Sequence, residues 1–256
     1  QIKVTNITDN SFVVSWITDK TTSGFILYGE NDNPELVVSD DRDQEKGSIG
    51  SYMTHFVTVR GLKPASRYAF RVGSGKGLYD QDKIPYSVTT GANLRKAPPS
   101  DVAYGQANLQ SGDPAEGAIV YLQLPGNVPQ AALVKPSGSW VIPLSTARTS
   151  DLTSFAAYDK DKDTIEIFVQ AASLGTASVT TTTGNDSPVA PITLGTTQNL
   201  IAAKIEPTAI PTLGTTPLPP VYTSPSVPLL NSGEGRRSQG EVSSSKFSSV
   251  ALAPAT

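Results

Sequence analysis

Large apolar residues alternate with small or polar ones along much of the chain. In Ser11–Ile17, Phe12, Val14 and Trp16 alternate with Ser11, Val13 and Ser15, placing one bulky apolar set on a single strand face. Gly24–Gly29 sets Phe25 and Leu27 against Ile26 and Tyr28, and His55–Arg60 alternates again before Gly61. Arg67–Val72 puts Tyr68, Phe70 and Val72 on one face and arginines on the other, the signature of an antiparallel strand with a wet outer face. Gln1–Val4 and Pro85–Gly91 read as opening and closing strands. Further on, Glu116–Leu122, Lys135–Leu144, Thr164–Gln170, Ser178–Thr183 and Pro191–Gly195 carry strand patterns. In Thr164–Gln170, Ile165, Ile167 and Val169 oppose Glu166, Phe168 and Gln170. Gly, Pro, Asn and Asp bound these runs every 8 to 12 residues or so, the spacing of a sandwich or barrel. No stretch carries the 3.6-residue period of an amphipathic helix, so the predicted class is all-β.

Composition divides the chain. At Leu94–Ser100 the consecutive Pro98 and Pro99 forbid helix and sheet continuation and favour an extended spacer. From Pro207 onward lie 8 of the 20 prolines and 15 Ser or Thr, with only Tyr222 and Phe247 as aromatics, too little to build a core. The expected organisation is a sandwich over 1–91, a linker over 92–100, a second sandwich over 101–195 and an extended Pro/Ser/Thr-rich arm over 196–256. The predicted architecture is thus two tandem immunoglobulin-like sandwiches followed by an arm.

Charge and composition narrow the function classes. With no cysteine and the single His55, disulfide frameworks, thiolate sites and histidine metal clusters are excluded. Twenty Lys plus Arg against 23 Asp plus Glu leave a net charge of −3, without the basic patch that nucleic acid requires. No apolar run approaches the roughly 18–20 residues of a membrane span. A serine nucleophile needs a base and an oxyanion hole, and no Gly-x-Ser-x-Gly elbow accompanies the one histidine. The expected protein is not an enzyme.

Leu62, Pro64 and Tyr68 follow one strand and precede another, with Trp16 in an early strand. This pattern resembles the corner of a fibronectin type III domain. The resemblance covers 1–91 and implies that the Tyr68 hydroxyl ties back to backbone near the turn. Tyr28-Gly29 and Tyr52–Ser74 are similar to the fibronectin-like N-terminal domain of purple acid phosphatases, whose catalytic domain has no counterpart here. Glu116–Leu122 followed by Lys135–Leu144 resembles the carboxypeptidase regulatory-like and collagen-adhesin B-type sandwiches. Their Lys-to-Asn crosslink finds no matching triad.

Several clusters admit a functional and a bland reading. Asp159, Asp161 and Asp163 are spaced like the first ligands of a calcium loop. Thr164 stands where such a loop wants glycine and Gln170 where it wants glutamate, so a solvated hairpin turn is the favoured reading. The run Asp40–Lys46 reads as a mobile loop, His55 as a sandwich-edge residue, and Gly73–Gly77 as a hairpin without a phosphate-binding helix. Tyr79, Tyr86, Tyr104 and Tyr158 could stack on sugars or pack on strand faces.

The arm carries apolar islands at Val221, Tyr222, Val227, Leu229, Leu230, Phe247, Val250 and Leu252, expected to lend main chain to an open sheet edge of another copy. Pro254 and Thr256 resemble the left half of a sortase signal. The leading expectation is a structural subunit of a fibre, pilus-like filament or surface layer, extracellular and prokaryotic, with itself as partner. The alternatives are a polysaccharide-binding accessory module and a wall-anchored stalk.

Overall fold

The computed structural model describes residues 2–202, apart from positions 31 and 33. The residues assigned to the arm beyond 202 lie outside the described residues. Strands β1 (Lys3–Thr5), β2 (Ser11–Thr22), β3 (Gly24–Gly29) and β4 (Leu36–Ser39) precede a six-residue helix, α1 (Asp41–Lys46). Strands β5 (Tyr52–Arg60), β6 (Arg67–Ser74), β7 (Gly77–Tyr79) and β8 (Tyr86–Thr89) follow. They form a sandwich of one β1-β2-β5 sheet and one β4-β3-β6-β7 sheet, with β8 also paired to β6. The alternation of β2 works as its pattern requires: Phe12, Val14 and Trp16 turn inward and meet Ile26, Val57, Tyr68 and Phe70. At the corner, the Lys63 backbone N–H donates to the Tyr68 hydroxyl at 2.8 Å, so a buried phenol stays satisfied and the turn before β6 is fastened.

Strands β9 (Val102–Asn108), β10 (Ile119–Gln123), β11 (Gln130–Leu133), β12 (Ser139–Pro143), β13 (Thr164–Gln170), β14 (Thr176–Thr182), β15 (Ile192–Thr193) and β16 (Thr197–Asn199) build the second sandwich. Its sheets run β11-β10-β13-β14-β16 and β12-β9-β15. Ile165, Ile167 and Val169 of β13 and Trp140 of β12 fill the space between them. The chain is all-β apart from α1 and two short 3-10 turns, among the described residues.

The two sandwiches are not separated by their linker alone. The face of β2 opposite its inner core carries Val13, which joins Phe56 of β5 in a buried cluster with Ile119, Tyr121 and Ala131 of the second sandwich. Leu133 and Phe168 pack against this seam. Within it Ser15 Oγ lies 2.9 Å from the Tyr121 hydroxyl. Asn6, held at φ 52°, donates its backbone N–H to Pro129 O at 3.0 Å. Its side chain accepts from the Ala131 N–H at 2.7 Å and donates to the Ala131 carbonyl at 3.0 Å. One amide thus reproduces the two hydrogen bonds of a missing strand neighbour. At another point of the junction the buried Arg148 donates to Ala92 O at 3.1 Å and approaches Asp9 at 3.4 Å.

Because the seam buries a shared apolar cluster and is crossed by hydrogen bonds, the sandwiches are expected to unfold together. Differential scanning calorimetry should show one transition for the intact protein. Phe56→Ala should cost about 3–5 kcal/mol, the usual penalty for emptying a buried aromatic site, and split the endotherm in two. Two separate transitions in the unmodified protein would refute the coupling.

Candidate functional site at the sandwich junction

The acidic run after β4 folds into α1 with Asp40 and Asp43 buried, contrary to its reading as a mobile loop. Asp40 is fully buried and caps α1, accepting from the Arg42 N–H at 3.1 Å. Its carboxylate also takes two guanidinium bonds from Arg42, at 2.8 and 2.9 Å, and the Phe56 N–H at 2.9 Å. The Arg42 guanidinium lies over the Tyr52 ring, 3.5 Å from its centre, and donates to the Thr54 carbonyl. Asp41 accepts from the Thr58 N–H and hydroxyl at 2.7 and 2.5 Å, while burial pushes its pKa up. Asp43 accepts from Gly50 N–H and the Tyr52 hydroxyl at 2.8 and 2.9 Å. Burial, and then that bond to Asp43, push the Tyr52 hydroxyl up to about 12. The cluster reaches the second sandwich through the Thr54 hydroxyl, which donates to Gly117 O at 2.6 Å. Gly117 sits at φ 74°, and a Cβ there would stand 3.2 Å from Arg42 Nη1. Asp40 at the cap, acids in the first turn, Lys46 in the last and Gly47 beyond it were the available signals for this helix.

Above this clamp opens a groove of about 690 Å³, within the ordinary range for ligand sites. α1 and the outer face of β5 form one wall; β11 and β12 form the other. Phe56, Leu133, Trp140 and Val141 supply apolar surface. The rim carries Lys135–Glu45 at 3.4 Å and Arg60–Asp41 at 3.7 Å. Strands β11 and β12 end their respective sheets on this side. The Val134 N–H donates to Ala118 O and the Ala107 N–H to Gly138 O. Since alternate residues of an antiparallel strand face its partner, Leu133 and Val141 turn their backbone groups outward.

The other residues singled out in the sequence are dispersed. Trp16, Leu62 and Tyr68 are core residues of the first sandwich, and Pro64 is exposed in the corner turn. His55 lies on β5, the end strand of its sheet, yet it is fully buried, its ring stacked on Trp16 with centres 4.8 Å apart. A Cβ on Gly24 would stand 2.2 Å from its Nδ1, so glycine makes room for the ring. Burial holds the His55 pKa down at about 4. Asp163 Oδ2 accepts from the Asp159 N–H and Asp159 Oδ1 from the Asp161 N–H, both at 2.9 Å, so these carboxylates close their own turn. Among the described residues, no three His, Cys, Asp or Glu side chains gather to hold a metal ion. Tyr79 and Tyr86 line a cleft of about 680 Å³ with Trp16. Tyr104 and Tyr158 belong to the second sandwich, where Tyr158 donates to Asp101 at 2.6 Å.

Residues 1–90 match the family model described as Purple acid Phosphatase, N-terminal domain. The first sandwich is fibronectin-like. No curated protein matches the chain. Among solved structures, the crystal structure of chicken CNTN1 FN1-FN3 domains is similar at 15% identity and a TM-score of 0.26, over 75% of this chain and 65% of that one. The chain therefore covers less than two thirds of that structure's length.

One titrating residue had no sequence signal. Asp186, buried in the second sandwich, is pushed up to about 6, chiefly by burial and also by the nearby Asp101. A carboxyl raised from 3.8 to about 6 stabilises the fold below pH 3.8, and that contribution is lost as pH rises through 6. His55 acts in the opposite sense: lowered from 6.5 to about 4, it gives stability above pH 6.5 that is lost as pH falls toward 4. Each shift corresponds to about 3 kcal/mol, so the two nearly cancel between pH 4 and 6.5. Asp186→Asn should raise the melting temperature at pH 7 and steepen the loss on acidification to pH 4.5. Parallel melting curves for variant and parent across that range would exclude Asp186 as a titrating group.

Proposed function

We propose that the chain is a non-enzymatic structural subunit of an extracellular fibre, pilus-like filament or surface layer on a prokaryotic cell. Residues 197–199, expected in the arm, instead pair with β14 as β16; in this reading the residues after β16 form an arm that docks by strand addition on a neighbouring copy. The observation that carries the reading is the buried seam around Phe56 and Tyr121. Two sandwiches sharing a hydrophobic cluster resist bending between them, and stiffness along the chain is what a load-bearing subunit needs. Joining one end of a molecule to another surface of the next is a heterologous contact, which propagates into filaments unless the rotation closes a ring. A sorting step at Pro254 and Thr256 would add covalent anchoring to the same role.

A second reading is favoured by the match of residues 1–90 to a domain of phosphatases and by the aromatic cleft at Tyr79 and Tyr86. It makes the chain an accessory module that binds polysaccharide for a larger protein. Negative-stain electron microscopy of the purified chain separates the two. Fibres are expected, and deletion of residues 207–256 should abolish them while leaving the β-type circular dichroism intact. Dispersed particles from the intact chain, with retardation in polysaccharide-containing gels, would support the accessory module instead.

A further inference from the structure

We propose that the paired edges of β11 and β12 accept residues 247–252 of a second copy, which enter the junction groove as an added strand. The inference rests on the fibre reading above and names the surface that receives the arm.

Exposed sheet edges are normally blunted, because unpaired main-chain groups recruit other strands. The blunting here is selective. On β11 the outward groups of Ala131 are plugged by the Asn6 side chain. The edge of β4 has its Ser39 carbonyl taken by Gln44 at 2.7 Å and leaves Val37 open but without a groove beside it, and β15 and β16 are only two and three residues long. Leu133 and Val141 have no comparable plug. They face the same groove from two sheets, and Val141 is 55% exposed on its edge strand. An incoming strand finds the unpaired main-chain groups of Leu133 or of Val141 to bond to, and apolar surface beside them.

The groove's electrostatics favour an uncharged guest. Lys135 is engaged with Glu45, Arg60 with Asp41 and Arg42 with Asp40, so a charged side chain would compete with existing pairs and lose hydration. Residues 247–256 carry no charge at all. Val250 and Leu252 fall on one strand face, and Ser248, Ser249 and Ala251 are small enough to lie in a narrow channel. The 54 residues beyond the last described residue, Ala202, have a maximum reach of about 180 Å, ample to reach another molecule.

The absence of cysteine allows a clean crosslinking test on the full-length chain. Val141→Cys and Leu252→Cys are made as separate proteins, mixed in equal amounts and mildly oxidised, and linked peptides are identified by mass spectrometry. Leu36→Cys, a comparably exposed site on β4 at 58%, serves as the control acceptor. We expect 141–252 links at least tenfold above 36–252 links. Equal yields, or no 141–252 link, would overturn the proposal, as would a link formed within single chains when both cysteines are placed on one molecule and diluted. Microscopy of the unmodified chain keeps the two ideas apart. Fibres without the 141–252 link refute this acceptor and leave the fibre standing; the link without fibres refutes the fibre and leaves the acceptor standing.

Discussion

The structure depends on a sheet that is buried on both faces. β2 and β5 turn Phe12, Val14, Trp16 and Val57 to the core of the first sandwich, and Val13 and Phe56 to the second. An isolated fibronectin-like sandwich would leave that second face in water. Here it meets Ile119 and Tyr121, each side removing the other's apolar surface from solvent. Burial of this kind contributes roughly 25 cal/mol per Å², but its larger consequence is geometric. Close-packed side chains have few alternative arrangements, so the junction has one preferred geometry where a bare proline spacer would permit many.

The polar groups around the seam show what such burial demands. Asp40 is taken out of water only because four donors converge on it: the Arg42 guanidinium twice, the Arg42 N–H and the Phe56 N–H. A buried pair of this sort adds little net stability over an apolar substitute, yet removing one partner is severe because the other is left unpaired. Its value lies in register. The clamp holds α1 against β5 while Thr54 reaches Gly117, and Asn6 finishes the edge of β11 that would otherwise end unsatisfied. Structural specificity and the shape of the groove therefore come from the same residues.

That groove forms where the two sandwiches meet and β11 and β12 end their sheets. A sandwich closes its core by stacking two sheets, but stacking does nothing for the hydrogen-bonding edges of either sheet. The first sandwich covers the β11 edge at Ala131 and stops short of Leu133. The functional proposal follows from this incomplete coverage in conjunction with an uncharged segment at the end of the chain.

The sequence by itself determined the all-β class, most of the longer strands and the corner turn, but not β4, β9 or β11. The two-residue period placed β2, β3, β6 and β13 and chose the inner faces of β2, β6 and β13, because alternation of side chains is a property of the extended backbone alone; β3, apolar on both faces, needed the structure to show that Ile26 points inward. The Leu62, Pro64 and Tyr68 corner was equally legible, since its bond closes within a few residues. The burial of His55, the ordering of Asp40–Lys46 and the role of Asn6 were not. α1 is too short and too polar to show a helical period, and His55 and Asn6 gain their meaning from Trp16 and Ala131, partners far along the chain or on another element. Periodicity says that a strand has two faces; only the tertiary structure decides what covers each, because that depends on how distant segments meet.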